Sequence, residues 1–271
     1  MSDPARPEGS PAADEIWTSI LLGTDPRYAR TRARLKHLPS EPRCKMCAAP
    51  FGGIGGPLMR LMGRGRWGKN PNYCATCFGV LSRLHGGAEI EASFLFADVR
   101  GSTPLAERIT ASEFRAQLGR FYDTASRVLV DHDAIVDKFV GDEVIGIFIP
   151  ALTHDAHAAR AVDAGLELLR ATGHADPGGP WLPIGIGVHT GVAFIGSVGS
   201  ATAPELTALG DVVNTTARLA SAAAAGELLV TDPAAEAAGL DTTSLERRVL
   251  ELKGKTEATP VSVATVRPQR L

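Results

Sequence analysis

Between Val136 and Phe148 the chain reads VDKFVGDEVIGIF, two apolar, β-branched runs on either side of Gly141-Asp142. Two such runs joined at a glycine predict a β-hairpin. A hairpin in mid-chain constrains the fold strongly, because it needs further strands beside it and helices over it to bury its apolar faces. It also carries charge, in Lys138, Asp142 and Glu143. Charges at a turn between strands that read as buried mark either a solvated tip or a working site. Asp-Gly turns are common for purely structural reasons.

The flanking sequence supplies the partners. ASFLFADV, residues 92–99, reads as a buried strand, and LAERITASEFRAQLGRFYDTASRVLVDHD as two helices or one bent helix entered at Thr103-Pro104. After the hairpin come an amphipathic helix, DAHAARAVDAGLELLRATG, and two strands, LPIGIGVHTG and VAFIGSVG, around His189-Thr190-Gly191. A helix, DVVNTTARLASAAAAG, ends at Gly226, and the strands ELLVT, RRVLELKG and PVSVATV close the chain. Strand, helix, strand, strand, helix, strand predicts an α+β domain over residues 89–267, a ferredoxin-like βαββαβ core with additional strands.

Residues 1–13 are rich in Pro, Ala, Gly and Ser and read as disordered. Residues 14–42 read as a helical segment: Ile16, Trp17, Ile20 and Leu21 share one face of a first helix. A second helix carries Arg27, Arg30, Arg32, Arg34 and Lys36 as a solvated face.

Residues 43–87 hold all four cysteines, as the C-x-x-C pairs Cys44/Cys47 and Cys74/Cys77. That spacing predicts a four-cysteine metal knuckle holding zinc or an iron–sulfur cluster. The metal is then what folds this small Gly-rich unit, which has little core of its own. Phe51, Leu58, Met59, Leu61, Met62 and Trp67 are its expected mini-core, and a helix over Tyr73–His85 is expected to end at a boundary, Gly86-Gly87. Arg60, Arg64, Arg66 and Lys69 offer a competing use as nucleic-acid phosphate contacts. The net charge of −2 argues against a general polyanion binder. The N-terminus lacks the basic start and apolar stretch of a secretion signal, and no apolar run approaches the roughly 20 residues of a membrane span. The expectation is a cytoplasmic protein with no membrane partner.

Chemistry gathers at strand ends. Asp98 closes its strand and offers a hard carboxylate for Mg²⁺, and Gly101-Ser102-Thr103 opens a helix whose N–H groups suit a phosphate. A plain N-cap and a strand-end acid would look the same. The expected sheet sets Asp98 beside Asp142, and two carboxylates together require a cation or a raised pKa. Asn214 and Arg218, four apart, share a helix face suited to a sugar oxygen and to charge developing on phosphorus. Lys253 and Lys255 flank Gly254 within reach of a triphosphate. Taken singly, each of these has an ordinary surface explanation.

Taken in order, FADVRGST, DKFVGDEVIGIF, GVHTGVAFIGSVG, ALGDVVNTTARL and LELKGK resemble the class III nucleotidyl cyclase catalytic domain. The resemblance implies that Asp98 and Asp142, with the Val99 carbonyl, hold two Mg²⁺ or Mn²⁺ ions. It implies that Lys138 and Thr207 read the base, a Lys/Thr pair associated with ATP in a bacterial subtype. Asn214 and Arg218 then orient the ribose and stabilise the transition state, and Lys253 (with Lys255 in reserve) holds the triphosphate. Sites of this family form between two chains, so a homodimer is implied, regulated by the preceding cysteine module. The sequence departs from the family pattern at Leu209, where an aromatic residue is frequent, and in lacking an arginine near the start of LPIGIGVHTG, a contact that Arg100 is a candidate to replace. Glu143 is left as a solvated tip.

Overall fold

The computed structural model describes residues 11–38, 40–78, 86–200, 203–255 and 257–266. Two helices open it, α1 (Pro11–Leu21) and α2 (Pro26–Leu35). Asp25 caps the second by accepting from the Arg27 N–H at 2.8 Å, and Pro26 occupies the first turn, where no N–H is missed. The cysteine module follows as α3 (Gly55–Leu61), a two-stranded ribbon of β1 (Arg66–Trp67) and β2 (Asn70–Cys74), and α4 (Ala75–Phe78).

The remainder runs β3 (Gly86–Val99), α5 (Ser102–Arg108), α6 (Ala111–Asp131), β4 (Ile135–Val140), β5 (Glu143–Phe148), α7 (Pro150–Thr153), α8 (His157–Ala171), β6 (Ile184–Ser200), β7 (Ala203–Leu209), α9 (Asp211–Ala222), β8 (Glu227–Thr231), α10 (Asp232–Ala238), β9 (Glu246–Leu250) and β10 (Thr259–Thr265). The sheet order is β4-β5-β3-β6-β8-β10-β9, with β7 paired to β6. Its first four strands are a βαββαβ core in which the opening strand lies between the third and the fourth, as expected.

Side chains of β3 alternate between two apolar layers. Phe94 and Phe96 face a layer shared with α1, the cysteine module and α9, whereas Leu95, Ala97 and Val99 face α6, α8 and α10. Trp17, Ile20 and Leu21 of α1 are buried in the first layer together with Tyr73, Phe78 and the four cysteines. The expected segments 14–42 and 43–87 therefore share one apolar cluster with the sheet.

Three expectations are corrected, and a fourth lies largely outside the described residues. Gly86-Gly87, expected as a boundary, is the start of β3, paired with Ser197 and Gly196. A Cβ on Gly87 would lie 2.4 Å from Phe194 Cζ and 2.7 Å from the Ile195 oxygen, so glycine is required by strand approach. Of the Tyr73–His85 helix, only α4 falls within the described residues. The two strands around His189-Thr190-Gly191 are one strand, β6, in which Thr190 is buried with its hydroxyl 2.6 Å from Ser93 Oγ. The mini-core is only partly right: Met59 is buried and Trp67 stacks on Phe78 at 5.0 Å, but Leu58, Leu61 and Met62 are exposed, because a helix as short as α3 turns one narrow stripe inward. The strand β7 and the helix α10 were not anticipated.

Candidate active site

The register of β3 on β5 sets Asp98 opposite Glu143, and the Val99 N–H donates to the Asp142 oxygen at 3.3 Å. The hairpin turn, with Gly141 at φ +61°, thus lies against the end of β3. Burial pushes the Asp98 carboxyl above its ordinary range; Arg100 draws it down and the Asp142 charge raises it again. The Arg100 guanidinium forms an ion pair with Asp98 and donates to the Ser221 oxygen at 2.8 Å. Arg100 is therefore committed to the acids here and not to a free phosphate site.

Glu143 is not a solvated tip. It is half-buried, and burial, with the charges of Asp98 and Asp142, pushes it up to about 7. The strand begins at Glu143 itself, so its side chain leaves the turn and stands beside Asp98. The charges of Asp98, Asp142 and Glu143 thus act on one another across the strand ends with Arg100 as the nearby cation, although among the described residues only the cysteines bring three or more ligand atoms within 4.8 Å of one another. Gly101, at φ +70°, carries the chain from this acid pair into α5, so Gly101, Ser102 and Thr103 follow directly on β3.

A second group of candidates surrounds a cavity of about 200 Å³. Phe94 and Phe96 of β3 and Ile145 of β5 give it apolar walls; Lys138 of β4, Thr207 of β7 and Asn214 of α9 bring polar groups to it. The pairing of β4 with β5 shifts between Val136 and Phe139. This irregularity lets the successive residues Asp137 and Lys138 both line one cavity, where a regular strand would separate them. Leu209 is 49% exposed and is not part of that lining.

Arg218 lies one turn beyond Asn214 on α9. A Cβ on Gly254, whose φ is +76°, would lie 3.3 Å from Arg218 Nη2, so the Leu252–Lys255 turn braces the guanidinium closely. Lys255 forms an ion pair with Asp211 at the start of α9, whereas Lys253 is exposed. The geometry puts the reserve lysine, not the preferred one, against the helix of Asn214 and Arg218.

Two participants, Asp137 and Lys69, have no role in this cavity in the sequence reading. The Asp137 side chain, 4% exposed, accepts from the Thr207 hydroxyl at 2.9 Å and lies 3.8 Å from Lys138 Nζ. Lys69 of the cysteine module donates to the Asp137 carboxylate at 3.2 Å. An acid next to Lys138 in a strand whose other residues are apolar was the available signal, since a buried charge needs a partner.

The four cysteines are buried, with ligand atoms all within 4.8 Å of one another. The sulfur separations of 3.9 Å for Cys44–Cys77, 3.6 Å for Cys47–Cys74 and 3.4 Å for Cys74–Cys77 lie near the ~3.8 Å edge of a tetrahedron with Zn–S bonds of about 2.3 Å. Hydrogen bonds from the neighbouring thiols, Cys44 first, hold Cys47 on the thiolate side of its ordinary range. The donor set fits one tetrahedral ion. Of the four cations considered for nucleic acid, Arg64 approaches Cys47 Sγ at 3.6 Å, Arg66 donates to the Pro71 oxygen, and Lys69 is engaged as described.

The family model for the adenylate and guanylate cyclase catalytic domain matches residues 88–264, and the chain belongs to that family. It is 33% identical over 150 residues to adenylate cyclase 1 of Rhizobium meliloti (strain 1021), covering 52% of this chain and 22% of that protein. It is 28% identical over 131 residues to an adenylate cyclase of Anabaena cylindrica, covering 47% of this chain and 26% of that one. The chain thus spans about a quarter of the length of these relatives. Among solved structures it is similar to the guanylyl cyclase Cya2 (TM-score 0.60, 28% identity, 69% of this chain and 98% of that one). It is also similar to the adenylyl cyclase CyaB from P. aeruginosa (TM-score 0.57, 27% identity, 67% and 97%). Relatives of both base preferences occur, so the choice of base rests on the chain's own cavity. No helix among the described residues is long and apolar enough to cross a membrane.

Proposed function

We propose that this chain is an adenylate cyclase, converting ATP to 3′,5′-cyclic AMP and pyrophosphate. The observation that carries this reading is the convergence of Lys138, Thr207 and Asn214 on one apolar-walled cavity. An ammonium donates to the adenine N1 acceptor, and a threonine hydroxyl accepts from the exocyclic amine. Guanine presents a donor at N1, and Lys138 opposing it would leave buried polar groups unpaired, which disfavours the guanylate reading.

The ribose 3′-oxygen attacks the α-phosphorus as the bond to pyrophosphate breaks, and the hydroxyl proton passes to solvent. Asn214 orients the ribose. Arg218, held by the Gly254 turn, meets the negative charge that grows on the phosphorus oxygens. Lys255, with Lys253 and the Gly101–Thr103 backbone, binds the triphosphate. Asp98, Asp142 and the Val99 carbonyl would hold Mg²⁺ or Mn²⁺, which supplies Lewis acidity and lowers the hydroxyl pKa.

The active unit is a homodimer with two equivalent sites, one chain giving the acids and the other the base pocket and α9. Phe139, Val140 and Leu209 support this, being large apolar side chains left exposed on the hairpin and the strand that bear the base readers. The four cysteines hold zinc, since their sulfurs converge on a single tetrahedral centre, whereas an iron–sulfur cluster spreads its thiolates over two or more irons. Free thiol ligands suit a reducing cytoplasm. A non-catalytic nucleotide sensor is disfavoured by the intact set Asp98, Asp142, Asn214 and Arg218.

Purified dimer with a filled cysteine site, given ATP or GTP with Mg²⁺ or Mn²⁺ and resolved by chromatography, is expected to yield cyclic AMP. No cyclic product, or cyclic GMP alone, would overturn the reading.

A further inference from the structure

A threonine hydroxyl both donates and accepts, so alone it cannot tell the adenine amine from the guanine carbonyl. Two residues to which the family resemblance assigns no role, Asp137 and Lys69, remove that ambiguity. Thr207 Oγ1 gives its proton to Asp137 Oδ2 at 2.9 Å. With the proton committed, the hydroxyl has only lone pairs left for a ligand. An exocyclic amine satisfies them, and a carbonyl oxygen is repelled.

Asp137 needs its own support, because its side chain is 4% exposed. Lys69, on the turn of the cysteine ribbon, supplies it. Its ammonium has three donors, and all three have acceptors: Asp137 Oδ1 at 3.2 Å, the Asp137 main-chain oxygen at 2.7 Å and the Leu206 main-chain oxygen at 3.1 Å. Asp137 precedes Lys138 on β4, and Leu206 precedes Thr207 on β7. One side chain thus ties together the two strands that carry the two base readers.

The ribbon cannot drift away from this position. The Val136 N–H donates to the Lys69 oxygen at 3.1 Å, Asn70 Nδ2 to the Ala134 oxygen at 2.7 Å and Asn72 Nδ2 to the Val130 oxygen at 3.0 Å. Lys45, next to Cys44, is ion-paired with Asp133 at 2.6 Å, and Tyr73, next to Cys74, also donates to Asp133 at 3.2 Å.

We propose that Asp137 is a specificity-determining residue that makes Thr207 an obligate acceptor, and that Lys69 of the cysteine module is a positioning residue that holds Asp137 and spaces the base readers. Removing Lys69 has a second consequence. Lys138 Nζ already lies 3.8 Å from Asp137 Oδ2 and would be drawn onto the uncompensated carboxylate, away from the base. The cysteine ribbon thereby supports the base pocket from behind, through Asp137 and Leu206, and loss of its fold should surface as a loss of base choice before a loss of chemistry.

The inference rests on the adenylate cyclase reading, and its test separates the two. Wild type, Asp137→Asn, Lys69→Met and Lys69→Arg are assayed as full-length dimers with ATP and with GTP, alongside melting temperature and zinc content. Lys69→Met keeps the stem and loses the donors; Lys69→Arg keeps a cation. The ratio of kcat/KM for ATP to that for GTP is expected to fall about tenfold or more in Asp137→Asn and Lys69→Met, chiefly through KM for ATP, with partial recovery in Lys69→Arg. A purely structural role would lower both nucleotides equally. An active wild type with an unchanged ratio in a folded, zinc-loaded Lys69→Met overturns the proposal, even should Asp137→Asn fail to fold. A wild type inactive on both nucleotides overturns the adenylate cyclase reading instead.

Discussion

In the proposed mechanism Arg218 meets charge that exists only in the transition state, while its neighbours hold charge present throughout. That difference sets what each substitution does. Arg218→Ala is expected to lower kcat by about 10²–10³ with KM for ATP little changed, in a steady-state cyclic AMP assay. His189 makes a separate prediction. Burial, and Lys255 after it, hold its imidazole down to about 4, with Nδ1 2.7 Å from the Thr231 hydroxyl. Its folded pKa lies below its unfolded value, so the folded state binds fewer protons. The stability it permits is complete above about 6.5 and is lost as pH falls through about 4. His189→Gln removes that loss. In urea unfolding at pH 7.5 and 4.5, wild type is expected to lose about 2 kcal/mol more than the variant, after allowance for the partial exposure of the ring. At this scale Asp98, Asp142, Lys138, Asn214 and Arg218 could be picked out of the sequence as candidates by their places in spaced motifs. The pairings of Asp137, Glu143 and Lys69 could not, because they form across the fold, Lys69 with Asp137 and Glu143 with Asp98.

Helix α9 can bring Asn214 to the cavity only by lying close on β6, and Gly187 is what permits it. A Cβ there would come 2.6 Å from the Ala220 nitrogen and 2.8 Å from the Thr216 oxygen, backbone atoms that cannot give way. Gly187→Ala is expected to cost about 1–3 kcal/mol in thermal unfolding and to lower kcat through the displaced helix. Gly119, within α6, is the opposite case: a Cβ meets nothing within 4 Å, and Gly119→Ala is expected to stabilise by about 0.5–1 kcal/mol without changing activity. The alternation of strand and helix was readable from periodicity, and the core order followed from it. The strand β7 escaped because its pairing with β6, not an apolar pattern of its own, defines it. The single strand β6 looked like two because His189-Thr190-Gly191 has turn composition, whereas Thr190 is buried against Ser93.

The whole chain is less divided than its composition suggests. The cysteine module and α1 complete the apolar layer on one face of the sheet, so the cysteine cluster shares that layer with Phe94 and Phe96, which wall the cavity of Lys138 and Thr207. Stripping the metal with a chelator, or Cys44→Ser, is expected to abolish the one-zinc stoichiometry, lower the melting temperature and weaken ATP selectivity together; metal analysis, thermal scans and the two-nucleotide assay check the three effects. The central claim is that Asp98 and Asp142 of one chain act with Lys138, Thr207, Asn214 and Arg218 of another. It is tested most directly by coexpressing Asp98→Ala and Arg218→Ala chains with different tags and purifying the mixed dimer. Each variant alone is expected to be inactive. The mixed dimer keeps one intact site of two and is expected to regain about half of the wild-type cyclic AMP rate. A mixed dimer as inactive as its parents would contradict the account.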